Sequence, residues 1–520
     1  MPLSRAPQVA GQVVQASRRP HVALYLADTS ALSARHSWLR ELVEGLPEVR
    51  FRAQLHTGAP ASPALLAGFP GNLSGQGGPE GRPETRRLSP AQRATAEVAL
   101  SGLVTALCLP DVGAFELSLE ALSSLSEAGP LGGVLLSGAA AQRVLEAWRE
   151  VARPEVRPRL PAPSVADALA FAEWLCGVLR GFERPLPQAN MGHALGSGEP
   201  GLLALHALWR RGTPFVLTEP QVELRRRYLA FRRSPAPLGL KTLQLRFGRL
   251  LCRAVYRQAS VIVAGSQRVR HWQEHLGASP QRIVVMSSGL QVPSSLLTAP
   301  APEPAGAVVV WCGEVRPDQD LETLLRAFDL VRRQRPEARL RLFVAGLDEN
   351  PNPELERCRA LVGSLRLERQ VTFEPAPADW SEAYREGQVV VMSALDEEVP
   401  PGLLEAMALG RPIVAPRLGA VPEVLGEAGV LITPRDLLAL ASSVLRLLAE
   451  APLRRRLSDA ARARAGLFSA ETWRRSYRQI YDKLLNAEPF GRAAPFTADE
   501  FEFGDDLMLG AAGTPPGARS

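Results

Sequence analysis

Strict alternation of short apolar runs with amphipathic stretches in the second half of the chain limits the possible folds more than any other feature. AVVVWCGEV, RLRLFVAG, QVTFEP, QVVVMSA and RPIVAPR have the length and β-branched content of buried strands. Between them LETLLRAFDLVRRQRPEA, PELERCRALVGSLRL, SEAYREG and PGLLEAMALG have helical spacing. Repeated strand–helix–strand units predict a doubly wound, mostly parallel sheet. The first half shows the same pattern more loosely. HVALYLA (His21–Ala27) and RFRAQLHTG read as strands around the helix SWLRELVEGLPEV, and TPFVLTE and SVIVAGS follow later.

Between these parts lie a Pro, Gly and Ser-rich stretch over 59–89, expected to be a long surface loop, and a mostly helical stretch over 90–186. VPSSLLTAPAPEPAG (Val292–Gly306) is the best domain boundary. Near the end, Trp473, Tyr477 and Tyr481 recur at every fourth position of a helix, and DEFEFGDD marks an acidic–aromatic tail.

Composition excludes several classes. At 520 residues, 46% hydrophobic and 22% charged, the chain has ordinary globular content. No apolar run approaches the ~18–20 residues of a membrane helix. The opening MPLSRAPQVAGQVVQASRRP has no apolar signal core, so a soluble cytoplasmic protein is expected. Five scattered cysteines without a CxxC pair suggest neither a disulfide framework nor zinc. The net charge of +6 comes almost entirely from dispersed arginines, and no zinc-finger or RNP-type motif accompanies it, so no nucleic-acid partner is expected.

One constellation carries chemistry. Glu397 and Glu405 lie eight residues apart in DEEVPPGLLEAMALGRPIVAPRLGAVPEVL. Glu397 falls on the loop after a strand, at the carboxyl end where open α/β sheets bind ligands, and Glu405 in the first turns of the next helix. Carboxylates there accept hydrogen bonds from sugar hydroxyls, and the helix N-terminus favours a phosphate. The segment resembles the donor-binding motif of glycosyltransferase family four, E-G-x-P-x-x-x-x-E-A-M-A-x-G-x-P-V-V-A followed by G-G-x-P-E. Glu397, Pro400, Glu405, Ala406, Met407, Gly410, Pro412, Val414, Ala415, Gly419, Pro422 and Glu423 match it. A narrower resemblance, to PelF-like exopolysaccharide glycosyltransferases, rests on HVALYLADTS with SWLRELVEGLPEVRF, on TPFVLTE and on PELERCRALVGSLRLERQVTF.

The resemblance implies a GT-B fold, two Rossmann-like domains facing a cleft. An acceptor-side domain would cover 20–300 with a helical insertion at about 55–190, and a donor domain 301–466. A helix over 467–486 would cross back to the first domain, between a flexible start at 1–19 and a flexible tail at 487–520. The implied reaction is retaining, metal-independent transfer from a UDP-type nucleotide sugar to a glycan or exopolysaccharide acceptor. Glu405 would hold the ribose and Glu397 the hexose hydroxyls, with Gly313 and the backbone from Pro400 through Gly402, Leu403 and Leu404 on sugar and phosphate.

Four departures fall on the same cleft. In the family's G-R-x-x-P-x-K clamp, Glu314 stands at the arginine position and Gln319 at the lysine position. Glu398 replaces the glycine after the first motif glutamate, and T-E-H-G reads Thr218, Glu219, Pro220, Gln221. The glycine-rich first turn reads ALSARHSW. Arg316, Arg35 or Arg417 would have to compensate for the lost cations. Two readings follow: an active transferase, or an impaired one that serves as a scaffold in a membrane polysaccharide-synthesis complex or beside an active homologue, peripheral to the inner membrane.

Other motifs carry ordinary readings. Asp318 and Asp320 look like helix-capping residues and not a metal-binding D-x-D. Gly196-Ser-Gly198-Glu-Pro-Gly201 fits G-x-G-x-x-G but shows no convincing preceding strand. His193 and His206 read as structural, and Arg225 to Arg227 as a solvated helix face.

Overall fold

The structure is a computed structural model that describes residues 20–27, 37–56, 72–75, 87–152, 161–286, 302, 304–347, 352–395, 401–468 and 470–486. The strands form two sheets in which every neighbouring pair is parallel. The first comprises β1 (His21–Leu26), β2 (Arg50–Leu55), β3 (Leu73–Gly75), β4 (Met191–Leu195), β5 (Phe215–Glu219), β6 (Val261–Ala264) and β7 (Ile283–Val285), in the order β3-β2-β1-β4-β5-β6-β7. The second comprises β8 (Val308–Gly313), β9 (Arg339–Val344), β10 (Val371–Pro375), β11 (Val389–Val391), β12 (Ile413–Pro416) and β13 (Val430–Ile432), in the order β10-β9-β8-β11-β12-β13. Both orders reverse once, between β1 and β4 and between β8 and β11, which makes each sheet doubly wound.

Helices cover both faces of the second sheet, so its central strands β8, β11 and β12 are continuously apolar. Val309 and Trp311 of β8 join the cluster that holds helices Leu321–Gln334 and Leu437–Ala449, whereas Val310 between them faces the opposite layer. On the first sheet, helices Pro90–Cys108, Val112–Ser126, Gly138–Val151 and Val165–Leu179 pack in one cluster with Tyr25 and Phe215. Their starts are written in the sequence. Ser89 and Gln92 form a capping box ahead of Pro90, Ser164 and Asp167 form another, and Asp111 and Ser137 cap the remaining two.

The helix Ala470–Asn486 lies on the other face of the first sheet. Trp473, Tyr477, Ile480, Tyr481 and Leu484 are buried there with Val22, Leu24, Leu39 and Phe51. Polar bonds fix its register: His193 Nδ1 meets the Tyr481 hydroxyl at 2.6 Å, its Nε2 meets Thr218 Oγ1 at 2.8 Å, and Thr218 meets the Tyr477 hydroxyl at 2.9 Å. Burial pushes the His193 pKa down to about 3, so the ring is neutral. Among the described residues no helix is long and apolar enough to cross a membrane.

Three expectations change. A strand does precede Gly196: β4 ends at Leu195, and helix Glu199–Arg211 begins inside the glycine motif. Its sequence, MGHAL, escapes detection because Gly192 and His193 occupy central positions. The glycine is required there, since a Cβ would lie 2.7 Å from the Tyr25 ring. His193 is therefore a strand residue. Asp318 does not cap a helix but pairs with Arg316, while Asp320 holds the N-cap position in the left-handed region at φ 48°. Arg227, read as part of a solvated face, is mostly buried between Glu199 and Glu223. The Asn72 amide, in a sequon, donates to the carbonyls of Val43, Leu46 and Val49 and so ties down the turn before β2.

Candidate functional site

The strand order of the second sheet reverses between β8 and β11, and the carboxyl ends of the strands at such a reversal are the usual ligand position in open α/β sheets. Gly313 ends β8, the loop 314–320 follows, and helix Pro401–Ala408 comes after β11. Two bonds stitch the loops together: Ser393 Oγ donates to the Gln319 carbonyl at 2.5 Å, and the Leu395 amide donates to the Asp318 carbonyl at 2.8 Å. Glu397, Glu398, Pro400 and Arg35 lie outside the described residues.

Glu405 sits half-buried on the helix after β11. Burial, and then the nearby Asp379 charge, raise its pKa to about 7. Beside it the Tyr384 hydroxyl hydrogen-bonds the Cys312 thiol, whose own pKa is pushed up by burial and, more weakly, by Glu405. Tyr384 also explains Gly402, because a Cβ there would overlap the tyrosine hydroxyl. Leu403 and Leu404 bury their side chains in the cluster behind the helix, which leaves only their backbone for a ligand. The result is a carboxylate that ionises near neutrality, held on a helix whose first turn lies against a tyrosine. Tyr384, Cys312 and Asp379 had no sequence signal of their own beyond the glycine inside the helix at 402.

Gly402 supplies a direct test. Gly402→Ala is expected to destabilise the protein by about 1–3 kcal/mol through overpacking, and Tyr384→Phe in the same chain should restore most of the loss. Urea unfolding of the single and double variants checks this.

The loop 314–320 carries charge of the wrong sign for a phosphate clamp. Arg316 binds Asp318 through two nitrogens, at 3.1 and 3.0 Å, and reaches Glu314 at 3.5 Å. Its charge is thus shared between two carboxylates. Gln319 is buried at 7% exposure. Arg417 is exposed at the end of β12.

At the carboxyl end of the first sheet, Glu219 is completely buried at the tip of β5. Ser197 Oγ at 2.5 Å, the Tyr256 hydroxyl at 2.6 Å, Gln273 Nε2 at 3.0 Å and the Glu223 amide at 3.3 Å all donate to it. Burial raises its pKa and these donors pull it back. Pro220 packs against Gly265, where a Cβ would come within 2.8 Å of the proline backbone. Glu219 therefore organises the chain around the T-E-P-Q segment. Among the described residues no group of three or more His, Cys, Asp or Glu is placed to hold a metal ion.

Residues 306–450 match the family described as Glycosyl transferases group 1, and residues 36–281 match a domain family of unknown function, DUF3492. The chain is 27% identical over 267 residues to an exopolysaccharide phosphotransferase of Streptomyces coelicolor, covering 49% of this chain and 27% of that one. It is 25% identical over 248 residues to a D-inositol 3-phosphate glycosyltransferase of Corynebacterium glutamicum, covering 44% of this chain and 59% of that one. The matches thus span less than two thirds of either relative. The fold is similar to that of Anabaena HepE, solved in complex with UDP, with a TM-score of 0.55 at 15% identity over 89% of this chain and 100% of that one. Two doubly wound parallel sheets, the second lying within the stretch 306–450 that matches the group 1 glycosyl transferases, give this chain a GT-B fold.

Proposed function

We propose that the chain is a PelF-like glycosyltransferase that takes a UDP-type nucleotide sugar in the β8/β11 crevice and passes the sugar, with retention and without a metal, to a glycan or exopolysaccharide acceptor. The observation that carries this reading is Glu405, a half-buried carboxylate at the sheet's reversal point, on a helix whose sequence matches the donor motif. Glu405 accepts hydrogen bonds from the ribose hydroxyls, Glu397 from the hexose, and the backbone at Gly402 to Leu404 faces the phosphates. Residues 20–300 form the acceptor side and 301–466 the donor side, and the protein works in the cytoplasm, peripheral to a membrane through its partners.

The test is incubation with UDP-sugars and an oligosaccharide acceptor, with and without magnesium, reading transfer and the anomeric configuration of the product. Transfer with retention, independent of magnesium, supports the proposal. Inverted product contradicts it, and absence of both transfer and hydrolysis favours the scaffold reading.

The acidic loop also sets an expectation for affinity. An added cation about 4 Å from a phosphate contributes at most ~4 kcal/mol near a protein surface. Glu314→Arg removes one carboxylate from Arg316 and adds a guanidinium. Because Gln319 is buried, the change belongs at Glu314 alone. UDP affinity is expected to rise about tenfold, equivalent to ~1.4 kcal/mol. Calorimetric titration checks this, and unchanged affinity would remove loop 314–320 from the phosphate site.

A further inference from the structure

Glu423 closes the matched motif, and the chemistry proposed for the crevice gives it no role. It lies in the short helix Val421–Leu425 after β12, in the second half of the molecule. Its carboxylate nevertheless reaches the first half. Oε2 accepts from the Gln267 amide at 2.7 Å and Oε1 from the Arg268 amide at 3.0 Å.

These amides open helix Gln267–His275, which follows β6. The first four N–H groups of a helix have no partner within it. Here three of them are accounted for: Ser266 Oγ accepts from Val269, and Glu423 accepts from Gln267 and Arg268, while the Arg270 amide makes the first bond within the helix, to the Ser266 carbonyl. A negative carboxylate also complements the positive end of the helix dipole. The contact is therefore a built one, in which a side chain from one sheet's domain completes a helix of the other.

Both ends are anchored. On the donor side, Arg464 donates to the carbonyls of Glu423 and Val424, and Val421, Val424 and Leu425 share a cluster with Leu403, Leu404 and Met407 of the helix that carries Glu405. On the acceptor side, Gln273 of the latched helix donates to Glu219, and Gly265 ahead of it packs against Pro220. One bidentate contact thus joins the element holding Glu405 to the element holding the T-E-P-Q segment.

We propose that Glu423 is a positioning residue that holds the two sides of the cleft in their working register, so that a donor bound near Glu405 faces its acceptor. The catalytic part of this inference rests on the function proposed above, whereas the structural part does not. Donor binding itself needs only the second sheet, so loss of Glu423 should separate binding from turnover.

The experiment compares the full-length protein with Glu423→Ala and with Glu423→Gln, which keeps the volume and one strong acceptor. Hydrogen exchange at Gln267 and Arg268, small-angle scattering, UDP titration and transfer kinetics are read on each. Glu423→Ala is expected to speed exchange at the two amides by about tenfold or more, since each loses a bond to a charged acceptor. The radius of gyration rises, the donor KM and UDP affinity stay within about twofold, and kcat falls about tenfold. Glu423→Gln should give smaller changes of the same kind. Unchanged exchange overturns the contact, and faster exchange with unchanged kcat overturns its positioning role. If even the unaltered protein transfers no sugar, the proposed function fails, and exchange with scattering still decides whether Glu423 holds the cleft.

Discussion

Trp473→Ala should remove about 3–5 kcal/mol of stability, the range for deleting a large buried aromatic. The indole is 1% exposed and stacks edge-on against Trp38 at 5.7 Å and obliquely against Tyr477 at 4.6 Å. Its Nε1 has no hydrogen-bond partner, so the loss is one of packing alone. Tyr481→Phe is the matched contrast. It keeps the ring and removes only the bond to His193, which should cost about 0.5–1.5 kcal/mol. Denaturant unfolding of both variants separates the two contributions. A small loss for Trp473→Ala would mean that helix Ala470–Asn486 is an appendage and not part of the first half's core.

Glu405 governs the second large effect. With its pKa raised to about 7, the carboxylate is half protonated at neutral pH in the unliganded protein. In the proposed function ribose hydroxyls donate to the ionised form, so nucleotide affinity would depend on the fraction ionised. That fraction is nearly complete above pH 8 and falls about tenfold per unit well below pH 7. UDP affinity is therefore expected to be flat at high pH and to decline with slope one on the acid side, where protonation of the phosphate adds its own decline near pH 6. Glu405→Gln removes the component centred near 7 and weakens binding at pH 8 by about tenfold to a hundredfold, as loss of hydrogen bonds to a charged acceptor does. Calorimetric titrations from pH 6 to 9 on both proteins check this. Superimposable profiles would exclude Glu405 from the nucleotide site.

How much of this was legible depends on local composition. β8 and β12 announce themselves because VVVW and IVAP are continuously apolar, and β9 because only Arg341 interrupts the apolar run LRLFV; amphipathic helices flank all three. β4 was illegible because Gly192 and His193 answer to partners far along the chain, the Tyr25 ring and the Tyr481 hydroxyl. The aromatic stripe at 473, 477 and 481 was readable as a buried face, but its bonds to His193 and Thr218 were not. The same limit holds at the candidate site. Glu405 stood out by motif, whereas the Arg316 pairing with both Glu314 and Asp318 required coordinates. So did the reach of Glu423 to an amide 156 residues away. Local pattern encodes elements and their caps, and the contacts that build a cleft join residues that no periodicity links.

The central claim is that the β8/β11 crevice binds a uridine nucleotide through Glu405. Isothermal titration of UDP into the full-length protein and into Glu405→Ala at pH 8 tests it most directly. Saturable binding to the unaltered protein is expected, weakened about tenfold or more in the variant. No binding to either protein at millimolar UDP, or equal binding to both, would contradict it.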